Sequence, residues 1–465
     1  MTYNLNGFFS RIRHSIIRGP VYPQTEQECK RIITDSLILH FRPRTVPEPA
    51  LKFSLTWGLG GMALVLVMLL ALTGILLKFV YVPLPGKAYE SILVLQNEVW
   101  FGQLIRNIHH WCANLLVIVV FLHMLRVFFT GAFHSPRRFN WIIGLFLLFF
   151  VLISNFTGYL LPWDQLAFWA ITICTGMVEY IPGVGTWLQK MLRSGPEIGP
   201  AALLMFYTFH TAILPVCLLI CMAFHFWRVR KAGGVIIPAS LDDQSDTKPG
   251  YVPTIPNLVL RELTVALVLV AFILVFSILF DAPLESPANP GMSPNPAKAP
   301  WYFMGIQELL MHFHPVFAVL IIPVLVTGTL ILLPYLTYQS NRRTGGVWFF
   351  SRKGRRMGIV AAITALVITP PAIITDEYFM NFTASIPGLP TLISNGFFPA
   401  AIILAGITGF HRLIKRKYNA STNETIQTLF ILLLVSFIIL TVTGIWFRGP
   451  GMALTWPWNP ELSSS

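Results

Sequence analysis

Nine long apolar segments, separated by short polar stretches, divide the 465-residue chain. A helix needs about 20 apolar residues to cross roughly 30 Å of hydrocarbon, and most of the segments reach that length. The predicted spans are residues 54–80, 106–131, 139–161, 200–227, 258–281, 316–337, 358–375, 397–411 and 425–447. Pro370 and Pro371 interrupt the seventh span, and the eighth is short. The pattern predicts an all-α, polytopic membrane helical bundle with about nine transmembrane helices.

Basic residues recur in every second loop, and this alternation sets the orientation of the helices. The first group lies in the N-terminal arm, and the later groups are Arg137–Arg138, Arg228–Lys231, Arg342–Arg356 and Arg412–Lys417. The intervening loops are poor in lysine and arginine and carry aspartate and glutamate instead. Because cytoplasmic loops are enriched in lysine and arginine, we expect a cytoplasmic N-terminus and an external C-terminus. The expected location is the inner (cytoplasmic) membrane of a bacterium.

The composition agrees with a surface that faces lipid. Hydrophobic residues make up 55% of the chain and charged residues 11%, whereas a soluble domain carries about a quarter charged residues. The basic loops account for the net charge of +13. We therefore predict membrane lipid as a partner and no nucleic acid. No apolar core precedes a small-residue cleavage site in the first fifty residues, so no cleaved signal peptide is expected.

Shifts in composition suggest four blocks. A cytoplasmic N-terminal arm covers residues 1–53, and a four-helix block covers residues 54–235. A polar linker precedes a three-helix block at residues 252–390, and two additional transmembrane helices occupy residues 391–465. The final run, TGIWFRGPGMALTWPW, is aromatic; an aromatic belt at the outer interface explains it, and a docking site for a partner subunit is the alternative.

Two pairs of histidines lie inside the second and fourth spans. His109 and His123 are fourteen residues apart, and His210 and His225 are fifteen apart. At about 100° and 1.5 Å per residue, each pair lies roughly on one helix face, about 21 Å apart along the axis. Ionisable groups inside a membrane are expensive and usually functional. Both helices run the same way, so one histidine of each pair is expected near each membrane surface.

Facing histidines at two depths are what two six-coordinate haems require, with neutral imidazole nitrogens as axial ligands. A single buried histidine more often makes only a hydrogen bond, but two matched pairs favour a four-helix di-haem core. Pro215 lies between the ligands of the fourth span. It is expected to bend that helix and absorb the extra residue of spacing.

Four glycines repeat the fourteen-residue spacing of the first histidine pair. They are Gly60 and Gly74 in the first span, and Gly144 and Gly158 in the third. Their depths correspond to those of the predicted haem planes. A flat macrocycle against a helix needs positions without a side chain; the alternative is ordinary packing of small residues between membrane helices.

The five cysteines are scattered and form neither a CxxC nor a CxxCH motif. Covalent haem, iron–sulfur clusters and structural zinc therefore lack ligands in this chain.

Three stretches make the chain resemble a known family. They are LIRNIHHWCANLLVIVVFLHMLRVFFTGAF, FTGYLLPWDQLAFWA and FYTFHTAILPVCLLICMAFHFWRVRK. They are similar to cytochrome b of the bc-type quinol:cytochrome c reductase complexes, and most similar to the plastid-type and menaquinol-type branch. The resemblance extends over about residues 35–375.

The resemblance implies an outer b-type haem on His109 and His210 and an inner one on His123 and His225, both noncovalent. Arg106 and Arg126 match family arginines near the haem edges, where they could pair with propionates. Snorkelling of these arginines to the lipid headgroups is the alternative.

The chain departs from the family pattern at two places. In the plastid-type branch a cysteine that attaches an additional haem precedes the LGG motif, whereas here Gly58 stands at that position. We therefore expect no covalently attached third haem at this position. The sequence does not decide whether a noncovalent one binds there. The family's outer quinol motif is Pro-Glu-Trp-Tyr, but here the run is Ala299-Pro300-Trp301-Tyr302-Phe303, with proline in the glutamate position.

Quinol oxidation needs a proton acceptor within hydrogen-bond reach. We predict quinol binding near Tyr302 and Glu308, with Asp164 of the PWDQ motif as a second candidate base. Glu308 could equally be a loop carboxylate or a helix cap. At the inner quinone site, Arg230 matches a family arginine, and the nearby candidates are Asp35, Arg42 and Lys231.

The resemblance thus implies a subunit that oxidises quinol, with menaquinol expected, and that works with a Rieske-type iron–sulfur protein and a c-type cytochrome subunit. A dimeric complex is expected by family analogy. The first rival is a di-haem conduit that passes both electrons to multihaem cytochromes without bifurcation, which the missing motif glutamate makes conceivable. The second is a haem-free transporter or scaffold, which the matched histidine pairs disfavour.

Overall fold

The computed structural model describes residues 5–16, 24–28, 45–236, 250–336, 352–379 and 388–456. Within these ranges nine helices are long and apolar enough to cross a membrane. They are α1 (Leu59–Lys78), α2 (Gly102–Phe129), α3 (Arg138–Tyr159), α4 (Pro200–Lys231), α5 (Pro256–Leu279), α6 (Phe317–Tyr335), α7 (Arg352–Tyr378), α8 (Ile393–Tyr418) and α9 (Thr422–Trp446). The prediction of an all-α membrane bundle with nine spans is confirmed.

Most of the helices differ from their predicted spans by a few residues at the ends, and two differ in more than that. Pro370 and Pro371 do not interrupt α7, which is helical from Arg352 to Tyr378; membrane helices tolerate proline where neighbouring groups satisfy the freed carbonyls. Helix α8 is longer than residues 397–411. Its last turn carries three basic residues, whose long side chains can keep their charges at a membrane interface while the backbone stays helical.

Shorter elements lie before, between and after the spans. The helices are Leu5–Ile16, Phe53–Thr56, Pro85–Asn97, Gln165–Met177, Gly185–Arg193 and Met304–His312, and the 3-10 turns include Trp301–Phe303 and Pro450–Met452. Two strands, Thr45–Pro47 and Tyr251–Pro253, pair antiparallel with Val46 opposite Val252. This small sheet ties the chain just before α1 to the chain just before α5.

The four helices that carry the histidines and glycines form two tightly packed pairs. Helix α1 packs along α2, and α3 packs along α4, while α5 packs against both α1 and α2. Leu66, Cys112 and Leu116 belong to the buried core between them. Helix α9 packs lengthwise along α7 and against the helix Met304–His312, so the end of the chain contacts the segment that follows the Ala299–Phe303 motif.

Candidate functional site

The predicted haem ligands face each other in two pairs. The ring centres of His109 and His210 are 6.1 Å apart, and those of His123 and His225 are 6.4 Å apart. Two imidazoles that share one metal at about 2 Å from each nitrogen place their ring centres about 6 Å apart. Both pairs therefore have the spacing that two axial ligands of a single iron require.

Hydrogen bonds at Nδ1 orient the imidazoles of His109 and His210, the pair predicted to lie near the outer surface. The Thr73 hydroxyl donates to the Leu69 carbonyl at 2.7 Å, so its oxygen can accept from Nδ1–H of His109 at 2.9 Å. Nδ1–H of His210 donates to the Ser154 carbonyl at 2.9 Å. A proton fixed on Nδ1 leaves the Nε2 lone pair available for a metal.

Each of the four predicted glycines lies against one of these imidazoles. A Cβ atom at the glycine would meet Cε1 of the histidine at 3.5 Å (Gly60 and His123), 3.3 Å (Gly74 and His109), 3.6 Å (Gly144 and His225) and 2.5 Å (Gly158 and His210). Each glycine therefore lies against the histidine that was predicted at the same depth in the membrane. The glycines thus make room for the ligand rings themselves, and Gly158 does so most tightly.

A wider helical turn absorbs the fifteen-residue spacing on α4. Residues Phe209–Ile213, which include His210, form a π-helical turn directly before Pro215. A π turn accommodates one extra residue and is frequent at functional sites. The predicted proline bend therefore coincides with a π turn, which lets His210 and His225 both face α2.

The two predicted propionate partners differ in what they already bind. Arg106 is buried and donates to the carbonyls of Ala282 at 2.7 Å and Pro283 at 2.6 Å, so it holds the loop that follows α5. Arg126 donates from Nε to the Leu55 carbonyl at 3.0 Å. Its Nη2 is buried and has no hydrogen-bond partner among the described residues, so it can still bind an anionic group.

The aromatic motif after α5 is attached to α2. Nε1 of Trp301 donates to Oδ1 of Asn114 at 2.6 Å, five residues beyond His109. Tyr302 packs on the core between the first helices, and burial raises the pKa of its hydroxyl far above the usual value. That hydroxyl has no hydrogen-bond partner in the part of the chain that the structure describes.

Asp164 uses both carboxylate oxygens to hold backbone. Oδ1 accepts from the Ala167 amide at 2.9 Å and caps the helix Gln165–Met177, while Oδ2 accepts from the Glu285 amide at 3.0 Å. Burial raises its pKa, against the effect of these two hydrogen bonds. The predicted base therefore has a structural task, because it fastens the loop after α5 to the four-helix block.

Glu308 lies in an ion-pair network that sequence reasoning missed. Its fully buried carboxylate accepts from Nη2 of Arg448 at 2.6 Å and from Nε at 3.0 Å, and Oε1 lies 3.2 Å from Nε2 of His312. Burial alone would raise the pKa of Glu308, but these partners outweigh it and hold the pKa below its usual value. The four-residue spacing of Glu308 and His312, and a lone arginine in the aromatic C-terminal run, were the available signals.

The predicted inner quinone site is only partly described. Arg230 is half-buried in the last turn of α4, and the ammonium of Lys231 lies 5.2 Å from the ring centre of Trp227. Asp35 and Arg42 lie outside the described residues, so the composition of this site stays a prediction.

Gly58 is the N-cap residue of α1 and has a positive φ of 65°. A left-handed backbone of this kind favours glycine over residues with a side chain.

Comparisons with known proteins agree with this geometry. A family model described as "Cytochrome b/b6/petB" matches residues 46–233. Cytochrome b6 of Heliomicrobium gestii is 42% identical over 187 residues, which are 40% of this chain and 88% of that protein. The menaquinol:cytochrome c reductase cytochrome b subunit of Bacillus subtilis is 42% identical over 193 residues, which are 40% of this chain and 86% of that protein.

The fold is similar over a longer range. A chain of a solved structure titled "Hyperthermophilic respiratory Complex III" matches with a TM-score of 0.61, covering 88% of this chain and 98% of that chain at 23% identity. The sequence relatives thus cover the four-helix block, and the structural likeness extends the fold to most of the remaining helices. With its histidine pairs, its glycines and these relatives, the chain belongs to the cytochrome b/b6 family.

Proposed function

We propose that this chain is the quinol-oxidising cytochrome b subunit of a bc-type complex, that it passes electrons across the membrane through two b-type haems and that it contributes to proton translocation. The observation that carries the proposal is a facing pair of imidazoles at each of two depths, with ring centres 6.1 and 6.4 Å apart. A haem-free transporter has no need for this spacing, nor for a glycine opposite each ring.

His109 and His210 would hold the outer haem, and His123 and His225 the inner one. When bound, the haems supply one-electron carriers at two depths of the membrane. The protein fixes the ring orientations by packing each imidazole against a glycine. Arg126 is the strongest candidate to bind a propionate of the inner haem. Its buried Nη2 donates no hydrogen bond to any of the described residues.

Quinol would bind on the outer side, beside the motif that contains Tyr302. The hydrogen bond from Trp301 to Asn114 attaches this motif to α2 within about 8 Å, along the axis, of the outer ligand His109. The buried Tyr302 hydroxyl still needs a partner, and a quinol oxygen can provide it. Pro300 cannot replace the carboxylate of the family motif, so proton acceptance has to involve other groups.

Menaquinol is the expected quinol, supported by the likeness to the menaquinol:cytochrome c reductase subunit of Bacillus subtilis. The complex would include a Rieske-type iron–sulfur protein and a c-type cytochrome, because the cysteines of this chain form no motif that could hold either centre. We place the complex, as a dimer, in the inner membrane of a bacterium with the N-terminus in the cytoplasm.

A conduit without bifurcation remains the second candidate, because Pro300 stands where the family motif has its carboxylate. In that case both electrons of each quinol would leave to multihaem cytochromes, with no Rieske partner.

One experiment separates the two candidates. The purified complex, fully oxidised, is mixed with a reduced short-chain naphthoquinol, and haem b and haem c reduction are followed optically. Bifurcation predicts that one electron per quinol reaches the b-haems and one reaches the c-type cytochrome through a co-purified Rieske protein. Delivery of both electrons to cytochromes without a Rieske signal favours the conduit, and no reduction of haem b contradicts both.

A further inference from the structure

Five charged or titratable side chains meet near the outer ends of α7 and α9, away from the histidine pairs. They come from the helix Met304–His312, from the end of α7 and from the segment after α9, and they are Glu308, His312, Asp376, Glu377 and Arg448. The haem-binding function does not explain why so many charges are placed together here. Buried charges are costly unless they are paired or functional.

Glu308 and Arg448 form the buried part of this network. Both side chains are 0% exposed, and the guanidinium binds the carboxylate through Nε and Nη2. Nη1 of Arg448 donates to Oε2 of Glu377 at 3.0 Å. A two-point hydrogen bond of this kind fixes a carboxylate in place as well as keeping it charged.

His312 connects the buried carboxylate to a more exposed one. Its Nε2 lies 3.2 Å from Oε1 of Glu308, and its Nδ1 lies 2.7 Å from Oδ2 of Asp376. The exposed fraction of the side chain rises along this path, from 0% at Glu308 through 9% at His312 to 33% at Asp376. Hydrogen bonds at both ring nitrogens allow an imidazole to take up a proton on one side and release one on the other.

The same segments hold the loop that carries the predicted quinol motif. Gln307, next to Glu308, accepts from the Ala299 amide at 2.7 Å and donates to the Ala297 carbonyl at 2.8 Å. The Lys298 ammonium donates to the Ile445 carbonyl at 2.9 Å, three residues before Arg448. The motif, the carboxylate and the arginine therefore form one connected unit.

We propose that Glu308, His312 and Asp376 form a proton-exit path from the quinol site to the outer surface, and that Arg448 is the positioning residue that keeps Glu308 in it. The inference rests on the proposed quinol oxidation and assigns a role to the C-terminal segment. The His312 imidazolium passes its Nδ1 proton to Asp376, which releases it to water; the neutral ring then turns over, so that its bare nitrogen faces Glu308 and takes up the proton released at the site. One proton enters and one leaves, and no group is oxidised or reduced.

The charges that face His312 favour its protonated form. Burial lowers the pKa of the ring, but the hydrogen bonds and charges of Asp376 and Glu308 outweigh it and raise the pKa to about 9. Arg448, which touches Glu308 and Glu377, is the positive group in the cluster. Only the imidazolium can donate to both carboxylates at once, so the path should fail as the pH rises through this pKa.

The test compares Asp376→Asn with Glu377→Gln in the intact purified complex. The two residues are adjacent, and each loses its charge, but only Asp376 contacts His312. Naphthoquinol oxidation is measured across pH, with haem content as a control. We expect the wild type and Glu377→Gln to share an alkaline limb near pH 9, as the pKa of His312 requires. In Asp376→Asn, loss of the anion should move that limb down by about one unit.

Each outcome bears on a separate claim. A profile of Asp376→Asn that overlays the wild type, with both haems retained, overturns the path and leaves quinol oxidation standing. Absence of naphthoquinol oxidation in the wild type overturns the proposed function and the path together. If Asp376→Asn loses haem, the pH profile of the wild type tests the path instead. Wild-type quinol oxidation that stays constant from about pH 8 to 10 overturns the path.

Discussion

Replacing Gly158 by alanine tests whether the glycines exist to admit the ligand rings. A Cβ at this position would lie 2.5 Å from Cε1, 3.0 Å from Nδ1 and 3.1 Å from Nε2 of His210. All three distances are too short for van der Waals contact between heavy atoms. At Gly144 the equivalent Cβ would lie 3.6 Å from Cε1 of His225, which is an ordinary contact. Gly144→Ala is therefore the matched control.

The free-energy cost of Gly158→Ala depends on how far the His210 ring must move. His210 would have to move by about 1 Å to restore a normal contact, but its Nδ1 is held at 2.9 Å by the Ser154 carbonyl. Overpacking of this kind costs about 1–3 kcal/mol, which corresponds to about a 5- to 150-fold loss of affinity for the outer haem. Gly144→Ala should change haem affinity by much less.

The assay is haem quantification on purified protein, followed by an optical redox titration. We expect Gly158→Ala to lose the outer haem component, in whole or in part, and to keep the inner one. Gly144→Ala should retain both components. Full haem content with unchanged potentials in Gly158→Ala, or equal loss in both variants, would refute the reasoning.

Three further predictions concern Arg448, Tyr302 and His312. Arg448→Met removes the two-point partner of the buried Glu308 and leaves His312 to pair with it, so it should destabilise the protein by about 3 kcal/mol in thermal melts, and Glu308→Gln in the same chain should restore much of the loss. Tyr302→Phe should leave haem content and melting unchanged but lower the rate of quinol oxidation, because the hydroxyl has no hydrogen-bond partner among the described residues. The pKa of His312 in the folded protein, about 9, exceeds the ordinary value of about 6.5. Protonation of His312 should therefore stabilise the fold fully below about pH 6.5, and this stabilisation should be lost as the pH rises through 9. The melting temperature of His312→Gln should lack this pH dependence.

The spans and the histidine pairs could be predicted because lipid imposes simple rules. Apolar segments must be long enough to cross, and polar groups inside them are few, so His109 and His210 stood out against their surroundings. The glycine spacing was legible for the same reason. How closely each glycine lies to its imidazole could not be predicted. The 2.5 Å between a Cβ placed at Gly158 and Cε1 of His210 depends on the tilt and separation of α3 and α4.

The charge network was not predictable because it joins distant parts of the chain. Arg448 and Glu308 are 140 residues apart, and their pairing depends on α9 lying beside the helix Met304–His312. From the sequence, Glu308 could therefore be a base, a loop carboxylate or a helix cap, and the C-terminal run an aromatic belt or a docking site for a partner subunit. Likewise, the sequence pattern did not show that Asp164 caps a helix or that Arg106 binds carbonyls of the following loop.

The central claim is that His109 and His210 hold one haem and His123 and His225 hold another. The most direct measurement is a haem-quantified redox titration of the purified protein, of His210→Ala and of His225→Ala. The account predicts two b-type haems per chain with distinct potentials in the wild type, and loss of a different component in each variant. A wild type without haem, or variants with an unchanged haem count, would contradict it.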